Sequence, residues 1–154
     1  MIRCGHPCKS IAAGVPRFHE SAGLRAWQKQ WADPMATKAL DRLQDRYPDC
    51  AALVFADLST QMALITNTQT AFRRETLDSL CAEAALAFGT KGRPAIGDSA
   101  AMTVFVATRD HLRIYLRSAH DPDDALCCIC AHDTAIDSFV KEARACLETI
   151  SNGA

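Results

Sequence analysis

The fold is decided by two neighbouring stretches of the chain, MTVFVATRDHLRIYLRS at Met102–Ser118 and ALCCICAHDTAIDSFVKEARACL at Ala125–Leu147. The first stretch contains two apolar runs that are separated only by the tight turn Arg109-Asp110. Strands joined by so short a turn must be antiparallel. The second stretch begins with a run that is apolar on both faces and continues as an amphipathic helix. Together they predict three antiparallel strands and a final helix.

The remaining residues add two helices and two strands. The full set of predicted elements is a helix from Pro34 to Tyr47 with Asp33 as its cap, strands at Cys50–Ala56 and Gln61–Thr66, a helix at Ala71–Phe88, strands at Met102–Thr108, Leu112–Arg117 and Ala125–Cys130, and a last helix that starts at a capping box of Thr134 and Asp137. This order, α-β-β-α-β-β-β-α, predicts an α/β fold of the α+β type. We expect a five-stranded antiparallel sheet with helices on both faces.

The position of each strand in that sheet follows from its pattern of apolar residues. Cys50–Ala56 and Ala125–Cys130 are apolar on both faces, which is typical of central strands covered on both sides. Met102–Ala107 is equally apolar, although a sequential meander places it at the edge. Arg113 and Arg117 alternate with apolar residues, and we expect them on a solvated face.

Length and composition predict one folded domain behind a basic tail. The 154 residues are 49% hydrophobic and 23% charged, which lies within the globular range. Residues 1–34 carry five basic and two acidic side chains, whereas the remainder carries twelve and sixteen. We therefore predict a tail at 1–34, with a short helix at 21–32 that aligns Leu24, Trp27 and Trp31, and a domain at 35–152. The net charge of −1 means that the chain has no overall positive potential that would attract nucleic acid or acidic lipid.

The eight cysteines do not require a disulfide framework, because a chain of this size can bury a sufficient core. No secretory signal is visible, so we expect a reduced, cytoplasmic protein. Six cysteines are interpreted as buried packing residues: Cys50, Cys81, Cys127, Cys128, Cys130 and Cys146. Only Cys128 and Cys130 should share a face of their strand with each other.

Three residues near the start, Cys4, His6 and Cys8, are the weak candidates for metal ligands. Zinc in structural sites takes four such donors, and no second cluster supplies the fourth. The alternative function is therefore a metal- or small-ligand-binding protein or enzyme that uses Cys4, His6 and Cys8.

Catalytic chemistry has little support in the sequence. His111, His120 and His132 each adjoin an aspartate, but no nucleophile is predicted beside them. Neither G-x-x-x-x-G-K-[ST] nor G-x-G-x-x-G occurs. We expect no catalytic residue and no cofactor.

The domain resembles the roadblock family of dynein light-chain-like domains, which share a profilin-like or longin-like layout. The resemblance covers Ala36 to about Ile150 and rests on ALVFADLSTQMALIT (Ala52–Thr66), TLDSLCAEAALAFG (Thr76–Gly89) and the two stretches quoted first. Many members place an Asp, a charged residue and a Gly in the first hairpin turn. This chain has Asp57-Leu58-Ser59-Thr60 instead, which leaves the type of turn open.

The resemblance implies a homodimer in which the edge strand pairs with its copy and the central helix packs beside its twin. An exposed apolar edge strand independently calls for a partner, because it is otherwise an aggregation hazard. The predicted dimer interface consists of Leu80, Ala84, Phe88, Met102, Val104 and Phe105.

The family also implies a function, a non-catalytic module that regulates or scaffolds a small Ras-like GTPase. The predicted partner surface lies near Arg73, Arg74, Asp78 and Glu83. We expect a second copy and such a GTPase as partners, with neither nucleic acid nor membrane. A further interpretation is that the Leu24, Trp27 and Trp31 stripe tethers the dimer to a membrane or another partner.

Overall fold

The computed structural model describes residues 34–90, 95 and 100–153. These residues form the predicted succession of helices and strands: α1 (Pro34–Arg46), β1 (Cys50–Asp57), β2 (Met62–Thr66), α2 (Arg74–Phe88), β3 (Thr103–Ala107), β4 (Leu112–Arg117), β5 (Asp124–Cys130) and α3 (Ile136–Ser151). The predicted helix at 21–32 and the Cys4, His6 and Cys8 cluster lie outside the described residues. The division into a tail and a domain therefore stays a prediction.

The five strands form one antiparallel sheet in the order β2-β1-β5-β4-β3. This order confirms that Cys50–Ala56 and Ala125–Cys130 are central and that Met102–Ala107 contributes an outer strand. All seven residues of β5 are buried, which explains why that strand is apolar on both faces.

Helices cover both faces of the sheet, as predicted. On one face α1 and α3 pack Leu40, Phe139 and Leu147 against inward residues of the central strands. On the opposite face α2 packs Leu77, Leu80 and Phe88 against a second apolar cluster. Each helix within the described residues is too short or too polar to cross a membrane.

The first hairpin turn closes without glycine. The Asp57 carboxylate accepts hydrogen bonds from the backbone amides of Ser59 and Thr60 at 2.8 and 3.2 Å. The chain then returns to β2 through Gln61, whose φ of 58° lies in the left-handed region. The Asp57 side chain and the left-handed backbone of Gln61 thus close the turn, at a place where many members of the roadblock family have a glycine.

The helix starts were predicted less accurately than the strands. The capping box of Thr134 and Asp137 is wrong, because α3 begins at Ile136 with Ala135 at the cap position and without a side-chain cap. Thr134 is buried in the turn after β5, and its hydroxyl makes no hydrogen bond to the start of the helix. Similarly, α2 begins at Arg74 rather than Ala71, because Arg73 has an extended backbone.

The state of two cysteines also differs from the prediction. Cys50 and Cys130 face each other in the pairing of β1 with β5, and they form a disulfide. Both are buried as expected, but their interpretation as reduced packing residues is wrong. A separation of 80 residues along the chain gives no sign of this pair, which only the strand register brings together.

The other cysteines of the domain have free thiols. Cys81, Cys127 and Cys128 are buried and Cys146 is partly buried, which agrees with their interpretation as packing residues. Burial raises the pKa of Cys146 to about 11 and that of Cys128 further above its usual value. Both thiols therefore stay protonated at neutral pH and are poor nucleophiles.

We expect a non-reducing digest to release cross-linked peptides that carry Cys50 and Cys130. Reduction should lower the free energy of unfolding by about 2–4 kcal/mol, because the bond restricts the unfolded chain. Urea unfolding with and without a reductant measures this difference.

The double variant Cys50→Ala, Cys130→Ala is the control, and its unfolding should not respond to the reductant. Absence of the cross-linked peptides, together with equal wild-type midpoints in both conditions, would contradict the bond.

Candidate functional site

The outer strand β3 presents a hydrogen-bonding edge. Among the described residues, β4 is the only strand that pairs with it. The Arg117 amide donates to Met102 at 3.0 Å, and the Thr108 amide donates to His111 at 2.9 Å. Bonded and non-bonded pairs alternate in an antiparallel ladder, so the amides of Thr103, Phe105 and Ala107 point away from β4.

The side chains of β3 are apolar on both faces except for Thr103 at its start, whose hydroxyl accepts a hydrogen bond from Arg144 of α3 at 2.6 Å. Val104 and Val106 pack partly against the cluster beneath α2. Phe105 points to the other face and is 49% exposed. A strand edge of this kind is a template for pairing with another chain.

The opposite edge of the sheet is built differently. In β2 the amide of Ala63 donates to the carboxylate of Asp78 at 3.2 Å. Asp78 is held in place by Arg74, whose Nε lies 3.1 Å from the same carboxylate oxygen. A side chain of α2 thus occupies a donor that an added strand would need. The two edges are therefore not equivalent, and β3 is the more available one.

The flank of α2 nearest to β4 is fixed by charged side chains. Glu83 forms an ion pair with Arg113. Arg117 donates to the Gly89 carbonyl at 2.6 Å, and its guanidinium lies 4.9 Å from the centre of the Phe88 ring. The expectation of a solvated basic stripe on β4 is wrong, because both arginines bind α2.

Tyr115 lies between those two arginines and is fully buried. Burial raises the pKa of its hydroxyl, and the nearby Glu83 carboxylate raises it further. Tyr115 therefore stays neutral over the physiological pH range and acts as a packing residue of β4.

The structure divides the predicted dimer interface into buried and accessible parts. Leu80, Ala84 and Phe88 are each at most 3% exposed and belong to the core beneath α2. In the single chain they present almost no surface, and their assignment to a dimer interface stays a prediction. On β3, by contrast, Val104 is partly exposed and Phe105 is exposed, and Met102 just before the strand is partly exposed.

Sequence reasoning missed the apolar residue that α2 does expose, Leu86, which is 43% exposed. The signal was present in the helical spacing. Leu80, Ala84 and Phe88 follow one another at four-residue steps, on the same side as Leu77, whereas Leu86 falls on the other side.

The four predicted partner-binding residues do not form one cluster. Asp78 lies on the β2 flank of α2, and Glu83 lies on the β4 flank. Arg74 is engaged with Asp78. Arg73 is exposed just before the helix and has no side-chain partner among the described residues. Arg73 is therefore the member of the set that is most available to a partner.

The histidine beside α3 takes part in a structural network. His120 Nε2 lies 3.6 Å from Glu148, and the Ser118 hydroxyl donates to the same carboxylate at 3.2 Å. Ser118 also contacts Ser151, whose hydroxyl donates to the buried Asp124 at 2.7 Å. These bonds tie the loop between β4 and β5 to the end of α3. Over residues 34–90 and 100–153, no group of three or more His, Cys, Asp or Glu side chains is arranged around a common point for a metal.

The protein has the fold of Roadblock/LC7 domains. A Roadblock/LC7 domain from Streptomyces avermitilis aligns with a TM-score of 0.61 at 14% identity, covering 75% of this chain and 94% of that chain. MglB of Myxococcus xanthus aligns with a TM-score of 0.57 at 14% identity, covering 79% and 98%. MglC of the same organism aligns with a TM-score of 0.51 at 14% identity, covering 78% and 100%.

The sequence by itself matches neither a protein family nor a curated protein: a scan against family models gives no match, and a search of curated proteins gives no significant one. At such low identity the likeness to the solved structures establishes the fold alone. The resemblance inferred from apolar patterns is confirmed at that level.

The burial pattern of α2 predicts which of its residues contribute most to the free energy of unfolding. Replacing Phe88 with Ala should lower the free energy of unfolding by about 3–5 kcal/mol, and replacing Leu80 by about 2–5 kcal/mol, because each leaves a cavity in the core. Leu86→Ala truncates a side chain that is exposed in the single chain, so it should change the free energy of unfolding of the monomer by about 0.5 kcal/mol or less. Urea unfolding of the three variants at one protein concentration checks this order. Equal losses for Phe88→Ala and Leu86→Ala would show that the packing of α2 is different.

Proposed function

We propose that the protein is a non-catalytic homodimeric interaction module that pairs through β3 and regulates or scaffolds a small Ras-like GTPase. The difference between the two sheet edges is the observation that carries the proposal. Asp78 occupies an amide of β2, whereas three amides of β3 point outward beside the exposed Phe105. Within residues 34–90 and 100–153, Arg144 binds the Thr103 hydroxyl but no side chain binds the outward amides of β3, and an apolar edge with such amides favours pairing with another strand.

A second copy is the natural partner for this edge. In a dimer with twofold symmetry, each β3 meets the same strand of its partner in antiparallel orientation. The outward amides of Thr103, Phe105 and Ala107 then donate across the interface, and the two sheets become continuous. In this proposal Met102, Val104 and Phe105 of the predicted interface are retained, and Leu86 replaces the buried residues of α2.

The proposed GTPase partner rests on the family resemblance together with the shared fold. The chain carries neither of the two glycine-rich phosphate-binding motifs. We therefore assign it the role of the regulator or scaffold, and not that of the GTPase. Arg73 supplies an exposed positive charge near the start of α2. Such a charge suits an acidic patch on a partner, where it mainly increases the rate of association.

We expect the wild-type protein to be a dimer at micromolar concentration and Phe105→Pro to be a monomer. Proline removes an outward amide without removing a bond to β4, so the chain should keep its fold. Light scattering coupled to size exclusion measures the mass, and circular dichroism verifies the fold.

The matched control is Phe105→Val, which keeps the amide and the preference for a strand. It should remain a dimer. A wild-type protein that is monomeric at these concentrations, or a Phe105→Pro variant that still dimerises, would refute pairing through β3.

The GTPase proposal predicts that Arg73→Glu weakens binding to the partner GTPase by about 5–10-fold, corresponding to roughly 1–1.4 kcal/mol. Lys38→Glu is the matched control, because it reverses one exposed charge on α1, across the sheet. Titration calorimetry with a Ras-like GTPase from the same source, alongside its rate of GTP hydrolysis, tests the effect. Wild-type protein that neither binds such a GTPase nor changes its hydrolysis would count against the assignment while leaving the dimer intact.

A further inference from the structure

A groove of about 340 Å³ lies between α1 and α3, on the face of the sheet opposite α2. Its apolar lining comes from Ala39 and Leu43 of α1 and from Ala145 and Cys146 of α3. The proposed dimer uses β3 and α2, so it leaves this groove without an occupant.

One end of the groove is closed by polar contacts. Arg46 forms an ion pair with Glu142, and the Tyr47 hydroxyl donates to the other oxygen of that carboxylate at 3.2 Å. These contacts lie at the carboxyl end of α1. The opposite end, beyond Ala39, lies toward Pro34, where the preceding 33 residues join the helix.

The preceding residues carry an apolar stripe of matching length. Leu24 and Trp31 are seven positions apart, and so are Ala39 and Arg46 along the groove. At a helical rise of about 1.5 Å per residue, both distances are about 10 Å. Only Ala32 and Asp33 separate Trp31, the last residue of the apolar stripe, from the first residue of α1. If the helix ends at Trp31, this link has the length of the short loops in antiparallel helix pairs.

We propose that residues 21–32 fold back as a helix and place Leu24, Trp27 and Trp31 in the groove between α1 and α3. A tryptophan side chain buries about 150–250 Å² when it is covered, which gives this stripe a strong preference for an apolar surface. The groove supplies such a surface at the point where the segment joins the domain. The tail then forms a third helix of the α1 and α3 layer, and the inference does not depend on the dimer or the GTPase.

Intrinsic fluorescence tests the docking directly, because both tryptophans of the chain lie in residues 21–32. The emission of the native protein should lie at a shorter wavelength than that of the guanidinium-unfolded protein, and acrylamide should quench it less. Ala145→Lys places a long charged side chain in the groove at an exposed helix position. This variant should lose most of the blue shift and of the protection from acrylamide, with an unchanged circular dichroism spectrum.

Ser79→Lys is the matched control, since it puts the same charge at an exposed position of α2 across the sheet. It should behave like the wild type. Thr149→Lys, at another exposed position in the groove lining, provides a second probe if Ala145→Lys does not fold.

Three results would overturn the proposal. The first is a native emission already equal to that of the unfolded protein. The second is a blue shift that survives both groove variants, which would place the tryptophans elsewhere. The third is a blue shift that appears only with lipid vesicles or disappears on dilution, which would assign the stripe to a membrane or to a second copy.

Discussion

The central pair of strands, β1 and β5, sets the constraint on which the rest of the structure depends. Every residue of β5 is buried, and so are six of the eight residues of β1. Strands with apolar side chains on both faces require an apolar layer on each side of the sheet. The helices α1 and α3 supply one layer and α2 supplies the other, so the distribution of helices follows from the composition of two strands.

The same constraint explains why β3 remains available. The single helix α2 covers β1, β5 and the tyrosine of β4, while Val104 and Val106 at the margin are only partly buried. At the other margin, the Asp78 carboxylate binds the backbone of β2. One edge is therefore occupied by the chain's own side chain, and the other is apolar with outward amides. The proposed second copy would cover the apolar side chains of β3 and accept hydrogen bonds from its outward amides.

Patterns local in the chain were predictable from the sequence. The strands were placed within two residues because their apolar periodicity and short turns leave few arrangements. Features that depend on contacts between distant residues were not. The Cys50–Cys130 bond needs the register of β1 against β5, and the ion pair of Glu83 with Arg113 needs the position of α2 over β4. The exposed Leu86 was missed because nearly all of Leu80–Phe88 is apolar, so composition hides the difference between Phe88 and Leu86.

Amide hydrogen exchange along β3 tests pairing through this edge most directly. Val104 and Val106 donate to β4, whereas Thr103, Phe105 and Ala107 donate outward, so the five amides separate intrachain from interchain bonds. Paired edges predict that all five are protected at high protein concentration, and that dilution releases the three outward amides while the other two stay protected. Outward amides that exchange as freely as solvated ones at every concentration would contradict the account.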